Sequence, residues 1–536
     1  MSAPPASSPC PAPPALSLSH GPRWLTALVL GVAVVAFLPT LSGGFLADDF
    51  VYIARFRELP WSSWPHLFVQ DWSGGVWGQP LRELRPFAAL SFMGDAKLFG
   101  GAALGYRLTN LALHLIATAL VMRLAWRYAA GAVSATLIAG LIFALHPAHA
   151  EAVAWVTGRV DLIATAAALL FWFGAEIFCE HGCRRHLFAT LGAFFLGIFS
   201  KELCMFAPLL LLLHWLLLDL RAPRTVWFRR AQILGGAIAI FALYAIARRA
   251  AFGHDNIGYN LWTDEPAWRR QAAHWGWLVP LLPFAGRQEW AAPPSLAVLH
   301  AGWLAALALV VGGLAWAIAR GARRAAAVLF FGGGWFFITV FPLTGVVYFS
   351  PRHLYFPTVG LALAVGLACA ATRWRVLIGG TLVAWCTVAH IAAIRPWQKA
   401  ASVSQAALAT IDRELARTPD LFVFTAVPET LGPVWLWAWS SPQCYGPPFL
   451  THRPLSGHIV ERFVNYTRSD AWVADRRPLE TLRAAPEALV VAVDDDGRMF
   501  SRRVPRATLQ AAADKLTAVG LSNESWIAGV KSLAQP

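Results

Sequence analysis

The chain has 536 residues, of which 57% are hydrophobic and 14% are charged, and its mean hydropathy is +0.52. Soluble globular proteins average about 45–50% apolar and about 25% charged residues, so this composition excludes an ordinary soluble protein and indicates a membrane protein. The net charge of +14 is scattered between apolar runs and forms no basic face, which argues against nucleic-acid binding.

The N-terminal segment 1–23 is rich in Pro, Ala and Ser, which predicts a disordered cytoplasmic leader. It lacks the short apolar core of a cleavable signal, so we expect the first apolar run to be retained as an anchor. The seven cysteines show neither a disulfide framework nor the spacing of a metal site.

Residues 24–395 alternate between long apolar runs and short polar connections, and a spanning helix needs about 20 apolar residues. The runs predict a polytopic α-helical membrane domain with about 11 transmembrane helices, of which 187–200 is the shortest. The runs are 24–44, 105–122, 132–148, 161–179, 187–200, 203–220, 231–248, 296–319, 325–347, 354–371 and 375–394.

Arginine clusters stand at every second junction between these runs, which places those junctions in the cytoplasm. The clusters are Arg123 and Arg127; Arg184 and Arg185; Arg221, Arg224, Arg229 and Arg230; Arg320, Arg323 and Arg324; Arg373 and Arg375. The apolar segment 272–286 is short and contains two prolines. If it crossed the membrane, the later arginine clusters would lie on the outer side instead of in the cytoplasm. We therefore predict that it is re-entrant or interfacial, with the N-terminus inside and the C-terminus outside.

Residues 396–536 predict a small α+β domain outside the membrane. "ASVSQAALATIDRELA" has the spacing of an amphipathic helix, and "DLFVFTAVP" that of a buried strand. "ALVVAVDDDGRMFSRRV" predicts a hairpin that turns at Asp-Gly. Its acidic residues lack the further ligands of a calcium loop.

The connections on the outer side carry nearly all of the unusual polar residues. The first outer loop, 45–104, holds Asp48, Asp49 and "RELRPFAALSF". The later ones are "HPAHAEAVAWVTGRVD" at 146–161, "SKE" at 200–202 and "SPRHLYFP" at 350–357. Because the inner loops are short and merely basic, we expect the chemistry at the outer leaflet.

These residues suit a substrate that is a sugar on a lipid phosphate. A carboxylate at the membrane surface can deprotonate an acceptor hydroxyl, and only one of Asp48 and Asp49 is expected to act so. Basic side chains can neutralise the departing phosphate. The candidates are Lys201, Arg352, Arg159 and Arg85.

Structural interpretations remain open for each motif. The two acids would also cap an interfacial helix beginning at Phe50. "SKE" would also form a solvated turn. "HPAHAE" would also form a helix end with satisfied histidines, and Arg352 would also act as an interfacial anchor.

The order of "LADDF", "LRPFAALSF", "NLALHL", "HPAHAEAVAWVTGRVDLIA", "SKE" and "SPRHLYFPTVGLAL" resembles the GT-C membrane glycosyltransferases. Within them it resembles the transmembrane and tetratricopeptide-repeat O-mannosyltransferases and their bacterial relatives. The matching motifs span about 45–365, and "HPAHAEAVAWVTGRVDL" and "RHLYFPTVGLA" are the most specific of them.

The resemblance implies a polyprenyl- or dolichyl-phosphate sugar donor and inverting transfer on the non-cytoplasmic face. It implies that Asp48 or Asp49 is the base, and that Lys201, Arg352 and His353 lie near the donor phosphate. Further motif residues are expected in the substrate cavity without so clear a role. These are Arg85, His146, His149, Glu151, Arg159, Asp161 and Glu202.

The chain departs from those relatives after the membrane part. No 34-residue period follows, and the α+β segment stands where they carry tandem repeats. The acceptor therefore stays open among glycans, lipids and proteins. The Ala- and Arg-rich composition and the Pro-rich leader suit a bacterial plasma membrane, with undecaprenyl as the lipid.

We therefore expect an integral-membrane glycosyltransferase without a cofactor. Two adjacent acids are a poor ligand set, so metal-independent transfer is expected, although a divalent metal stays possible. A transporter or flippase of a lipid-linked saccharide is the alternative of another class, and a non-catalytic envelope scaffold is a third. Transporters place ionisable residues near the bilayer midplane, whereas here the acids stand at helix ends and in outer loops.

Overall fold

The computed structural model describes residues 22–75, 81–253, 308, 311–343, 350–419, 421–428, 430–437, 443–452, 457–459, 477–520 and 523–535. The predicted re-entrant segment 272–286, most of the predicted crossing 296–319 and nearly all of the predicted leader lie outside these residues.

The apolar runs within the described residues form helices, because a helix satisfies its backbone hydrogen bonds internally, as lipid requires. The helices are α1 Arg23–Phe37, α2 Asp49–Glu58, α3 Pro86–Phe99, α4 Ala103–Tyr128, α5 Val133–Leu145, α6 His149–Ala154, α7 Arg159–His181, α8 Arg184–Ile198, α9 Ala207–Leu218, α10 Arg224–Phe252, α11 Arg323–Leu343, α12 Pro357–Ala370 and α13 Arg375–Arg417. Within the described ranges six helical segments are long and apolar enough to cross a membrane, and three apolar helical segments are shorter. These segments confirm the predicted helical membrane architecture, whereas the number of about eleven crossings stays a prediction.

Helices α11 and α12 approach each other closely at two glycines. A Cβ on Gly332 would lie 2.8 Å from the carbonyl oxygen of Gly360, and a Cβ on Gly360 would lie 2.5 Å from that of Gly332. A side chain at either position would therefore push the two helices apart. Helix α12 begins at Pro357, directly after the "SPRHLYF" loop, so this contact also determines where that loop stands.

Ionisable residues in or beside the apolar runs form ion pairs at the helix ends remote from the acidic loop. Arg127, in the last turn of α4, pairs with Glu176 of α7, and Arg230 of α10 pairs with Asp219, which follows α9. These pairs stand at the ends that the arginine clusters predict to be cytoplasmic. In each pair one side chain is partly exposed, Arg127 to 37% and Asp219 to 54%, whereas Glu176 and Arg230 are largely buried.

Helix α13 runs without interruption through Pro396 for 43 residues, so the predicted boundary at 395 falls within a helix. The predicted amphipathic helix is its second half, and the buried side is marked by Ala400, Ser404, Ala407 and Ile411. This side packs against the segment that precedes the acidic pair. The backbone N–H of Gly44 donates to the carbonyl oxygen of Ala401 at 2.8 Å.

The described elements of the C-terminal segment are β1 Phe422–Ala426, β2 Thr430–Leu431, β3 Val434–Trp435, β4 Gly457–Ile459, α14 Arg477–Ala484, β5 Glu487–Val493, β6 Met499–Pro505, α15 Arg506–Val519 and α16 Asn523–Ala534. Four of the strands form a sheet in the order β4-β1-β5-β6. Strand β1 is parallel to β4 and to β5, and β5 is antiparallel to β6. The chain turns between β5 and β6 at Asp494–Gly497, and Gly497 has a φ of +73°, as the Asp-Gly hairpin predicts.

The two faces of this sheet belong to different cores. Val423, Leu489 and Val491 join the core of the helical bundle. Phe424 and Val490, which alternate with them along the strands, pack with Trp526 under the C-terminal helices. The bundle and the sheet are therefore joined by a continuous apolar core.

Candidate active site

The four polar loops predicted on the outer side meet at one end of the bundle. Asp49 of the first loop contacts Thr157, which follows α6. Arg85 of the same loop contacts Glu202 of "SKE" at 3.4 Å, and Lys201 contacts Asp161 at 2.5 Å. Arg352 of the last loop lies 3.6 Å from Glu151 of the 146–161 loop, so all four loops are in contact.

Asp49 is buried and both of its carboxylate oxygens are occupied by the protein. Thr157 donates to Oδ1 from its backbone N–H at 3.0 Å and from its hydroxyl at 2.8 Å. The backbone N–H of Leu46 donates to Oδ2 at 3.1 Å. Burial raises the pKa of Asp49 to about 6, and these hydrogen bonds limit the rise.

Asp48 differs from its neighbour in exposure and in contacts. It is half-buried and immediately precedes α2, yet its side chain makes no capping hydrogen bond, so the capping interpretation is wrong for this residue. Within the described residues its Oδ1 is buried and has no hydrogen-bond partner. Burial and the adjacent charge of Asp49 raise the pKa of Asp48 to about 8, against the opposing charge of Arg352.

The backbone before the acidic pair is held from two sides. The Arg107 guanidinium of α4 is buried and donates to the carbonyl oxygens of residues 42, 43 and 44. On the other side, the hydroxyl of Ser404 in α13 donates to the carbonyl oxygen of Phe45 at 2.7 Å. The backbone N–H of Ala47 donates to the carbonyl oxygen of Leu436 at 2.8 Å. The position of Asp48 is therefore fixed jointly by the bundle and the C-terminal segment.

Three of the predicted phosphate ligands, Lys201, Arg352 and Arg85, form what we call the basic cluster. Lys201 and Arg352 share the carboxylate of Asp161, at 2.5 Å from Nζ and 3.9 Å from Nε. Burial lowers the pKa of Lys201, Asp161 opposes this effect, and the charges of Arg352 and Arg85 add to it. Lys201 therefore lies within electrostatic reach of both Arg352 and Arg85, and Arg352 also reaches Asp48.

The surroundings of the basic cluster orient its side chains. The guanidinium of Arg352 stands 4.5 Å from the centre of the Trp155 ring, and the backbone N–H of Arg352 donates to Glu151. Glu202 accepts from Tyr244 at 3.0 Å and pairs with Arg85 and Arg248. Lys201 and Arg352 are buried, so neither a solvated turn nor an interfacial anchor describes them.

Arg159, the fourth predicted phosphate ligand, is bound elsewhere. Its side chain is fully buried and pairs with Asp95. It donates to Asn110 at 2.8 Å, to the hydroxyl of Ser91 at 3.0 Å and to the carbonyl oxygen of Tyr106 at 2.9 Å. These contacts tie α3, α4 and α7 together, and the structure does not bring Arg159 into the basic cluster.

The predicted histidines stabilise the loops from inside the fold. His149 is fully buried, bonds the Thr358 hydroxyl through Nε2 at 2.7 Å and packs 4.4 Å from the Tyr355 ring. His146 accepts from the backbone N–H of Ala148 through Nδ1. His353 accepts from the backbone N–H of Ser350 at 3.2 Å and so closes the turn that presents Arg352. The interpretation of "HPAHAE" as a helix end with satisfied histidines agrees with these contacts only in part, because Nδ1 of His149 has no hydrogen-bond partner within the described residues.

Several residues of the site were not identified from the sequence. Thr157 and Arg107 distinguish and position the acids, Trp155 underlies Arg352, and Glu83 pairs with Arg85 at 2.9 Å. Glu83 lies in the quoted motif "RELRPF", and its spacing of two from Arg85 was the available signal. Among the described residues, no group of three His, Cys, Asp or Glu side chains is arranged to hold a metal ion.

Comparisons with known proteins agree on fold and relatives. No family model matches the chain. The structure superimposes on the crystal structure of apo ArnT from Cupriavidus metallidurans with a TM-score of 0.53 at 13% identity, over 90% of this chain and 98% of that one. The same ArnT bound to undecaprenyl phosphate gives a TM-score of 0.48 over 88% of this chain and 93% of that one, also at 13% identity.

The sequence relatives include protein O-mannosyl-transferases of animals. The chain is 41% identical to Tmtc2 of Drosophila melanogaster over 147 residues, which is 26% of this chain and 15% of the relative. It is 34% identical to TMTC2 of Mus musculus over 180 residues, or 32% of this chain and 20% of the relative. The matches thus span a fifth or less of these two relatives. The chain therefore shares the fold of ArnT and, over about a quarter to a third of its length, resembles the TMTC O-mannosyl-transferases in sequence.

Proposed function

We propose that this protein is a multi-pass membrane glycosyltransferase that moves a sugar from a polyprenyl phosphate to an extracytoplasmic acceptor, with inversion. The observation that carries the proposal is the placement of Asp48, whose Oδ1 lacks a partner within the described residues, beside Arg352 of the basic cluster. A candidate proton acceptor thus lies within electrostatic reach of Arg352, a candidate ligand of the phosphate leaving group.

The reaction assigns one role to each part of this site. Ionised Asp48 takes the proton of the acceptor hydroxyl, and the acceptor oxygen forms its bond to the anomeric carbon on the face opposite the phosphate. The bond between that carbon and the phosphate oxygen breaks, and its electron pair remains on the lipid phosphate. Lys201, Arg85 and Arg352 stabilise the charge that develops there. Attack opposite the leaving group inverts the anomeric centre.

Asp49 has a supporting role in this proposal. Its oxygens are occupied by Thr157 and Leu46, so it holds the acidic loop against the loop after α6. Its charge also raises the pKa of Asp48 and so makes Asp48 a stronger base. The two acids would thus divide the roles of base and anchor.

Mannose and undecaprenyl phosphate are the first substrates to test. The relatives are named protein O-mannosyl-transferases, and ArnT has been crystallised with undecaprenyl phosphate. The alternation of basic helix ends supports a site on the non-cytoplasmic side, and in a bacterium this is the outer face of the plasma membrane. The acceptor is left open.

The test compares wild type with Asp48→Asn and Asp49→Asn in lipid nanodiscs. Each receives undecaprenyl-phosphate mannose and extracted envelope material, and release of free undecaprenyl phosphate is measured. We expect Asp48→Asn to keep its fold and lose at least about 100-fold in rate, as for removal of a general base. Asp49→Asn should chiefly lower thermal stability. Wild-type rates in Asp48→Asn would refute this assignment, and no release by wild type from any lipid-linked sugar would refute the transferase.

A further inference from the structure

Glu83 is held rigidly by its neighbours in the first outer loop. Its Oε2 accepts a hydrogen bond from the Trp72 indole at 2.7 Å and pairs with Arg85 at 2.9 Å. Its backbone N–H donates to Asp71 at 2.8 Å, and its carbonyl oxygen accepts from the backbone N–H of Trp72 at 3.1 Å. Both the backbone and one carboxylate oxygen of Glu83 are thus fixed.

The other carboxylate oxygen of Glu83 is buried without a partner. The residue is only 3% exposed, and within the described part of the chain Oε1 accepts no hydrogen bond. Buried polar atoms are paired in the great majority of cases, so an oxygen held in place and left unpaired indicates a missing ligand atom. A carboxylate oxygen can only accept, so that atom belongs to a donor group.

The location of Glu83 indicates which part of the substrate supplies this group. Glu83 pairs with Arg85 of the basic cluster, and its charge reaches Asp48, whose Oδ1 is also unpaired. In the proposed reaction the phosphate lies at the basic cluster and the anomeric carbon lies near Asp48. The anomeric carbon is bonded directly to the phosphate oxygen, so the rest of the sugar ring extends from a point between Arg85 and Asp48, the two residues that Glu83 reaches.

We propose that Oε1 of Glu83 accepts a hydrogen bond from one hydroxyl of the donor sugar and so selects which lipid-linked sugar the protein binds. The inference rests on the proposed function, and it adds a residue that determines donor specificity. A site that binds a hydroxyl with a buried polar group rejects analogues that lack the hydroxyl, because its own group is then left unpaired.

A purely structural role for Glu83, as the partner of Arg85, predicts a different result. Loss of that role would weaken binding of the phosphate, whether or not a sugar is attached. Loss of a hydroxyl contact would weaken binding of the sugar-bearing lipid alone. The informative quantity is therefore the ratio of the two dissociation constants.

The experiment measures dissociation constants of the full chain in nanodiscs for undecaprenyl phosphate and for undecaprenyl-phosphate mannose. Wild type is compared with Glu83→Gln and with Glu487→Gln, the same substitution at a half-exposed strand residue. In Glu83→Gln we expect the preference for the mannose form to fall about 10- to 100-fold, the range for a hydrogen bond to a charged group, with undecaprenyl phosphate binding kept. Glu487→Gln should match wild type.

Singly deoxygenated forms of the mannose donor identify the hydroxyl. One of them should bind wild type as weakly as Glu83→Gln binds the full donor, and Glu83→Gln should bind both alike. If Glu83→Gln misfolds, Trp72→Phe serves instead, because it leaves Glu83 in place and removes one of the bonds that aim it. A smaller loss of the same preference is then expected.

Three results would overturn the inference: equal weakening of both lipids, an unchanged preference in Glu83→Gln, or no preference for the mannose form in wild type. The proposed function fails by a different measurement, namely the transfer assay with Asp48→Asn. Binding needs no acceptor, so the two failures are distinguishable.

Discussion

Thr157 donates two hydrogen bonds to a single carboxylate oxygen of Asp49, from its backbone N–H at 3.0 Å and from its hydroxyl at 2.8 Å. The residues are 108 positions apart in the chain, and these two bonds occupy Oδ1 of Asp49. Asp49 is occupied, whereas Asp48 keeps an oxygen without a partner within the described residues.

The raised pKa of Asp48 predicts how transfer depends on pH. A general base acts only when ionised, so the rate at saturating donor should rise with pH and level off above about 8. The rate should be measured between pH 5 and pH 9.5, in the range where the protein stays folded. A plateau already reached at about pH 5 would show that Asp48 titrates like an exposed carboxyl or is not the base.

The same pKa predicts a change in stability of the opposite sign. Because the folded-state pKa lies above the unfolded value of 3.8, the protonated form is favoured by folding, and this contribution is lost as pH rises through about 8. Asp48→Asn has no ionisable group at this position, so its stability does not lose this contribution as pH rises. The unfolding temperature of Asp48→Asn relative to wild type should therefore increase from pH 4 to pH 8, and a constant difference would contradict the shift.

Removing the Lys201 ammonium should weaken phosphate binding. Lys201→Met keeps the apolar stem but leaves Asp161 with Arg352 alone, at 3.9 Å. We expect affinity for undecaprenyl phosphate to fall at least about tenfold, as for loss of a charge-assisted hydrogen bond. The control is Lys399→Met, the same change at an exposed lysine of α13. Equal affinities in the two variants would exclude Lys201 from the phosphate site.

Arg159→Lys should lower stability and leave donor binding intact. Lysine can pair with Asp95, but it cannot also reach Asn110, Ser91 and the Tyr106 carbonyl as the guanidinium does. The free energy of unfolding should fall by roughly 2–4 kcal/mol, because buried acceptors lose their donors. Thermal unfolding and the dissociation constant for undecaprenyl phosphate are both measured. A stable variant that binds the lipid poorly would return Arg159 to the phosphate site.

Two neighbouring glycines of α11 provide a matched pair for the contact with α12. A methyl group at Gly332 would lie 2.8 Å from the Gly360 carbonyl oxygen, whereas one at Gly333 meets nothing within 4 Å. Gly332→Ala should destabilise the protein by about 1–3 kcal/mol through overpacking. Gly333→Ala should be neutral or stabilising, because alanine is the better helix former. Similar unfolding temperatures in both variants would contradict the close contact.

Hydropathy and turn chemistry anticipated much of the architecture. The apolar runs predicted the helices, because in lipid each segment must satisfy its backbone hydrogen bonds by itself. The Asp-Gly hairpin at Asp494–Gly497 followed from local backbone preferences. The alternation of basic helix ends also placed the four polar loops together, and the contacts between Arg85 and Glu202 and between Arg352 and Glu151 agree with it.

The roles of individual polar residues could not be obtained in this way. The sequence alone could not distinguish Asp48 from Asp49, because the difference depends on contacts formed by folding, namely the hydrogen bonds that Thr157 and Leu46 donate to Asp49. Arg159 was predicted as a phosphate ligand because a charged residue in a motif can be recognised in the sequence. Its partners on α3 and α4 can be recognised only in the structure. The end of the apolar runs suggested a boundary at 395, yet tertiary packing of the buried side of α13 keeps the helix intact.

The uninterrupted course of α13 limits how this protein can be recombined with its relatives. At about 1.5 Å per residue, 43 residues extend for about 65 Å, roughly twice the hydrocarbon thickness of a bilayer. The part beyond Pro396 supports the backbone at Gly44 and Phe45. A chimera joined at residue 395 would replace that support together with the sheet and would disturb the acidic loop. Exchange of C-terminal segments should succeed only when the 42–47 segment is exchanged with them.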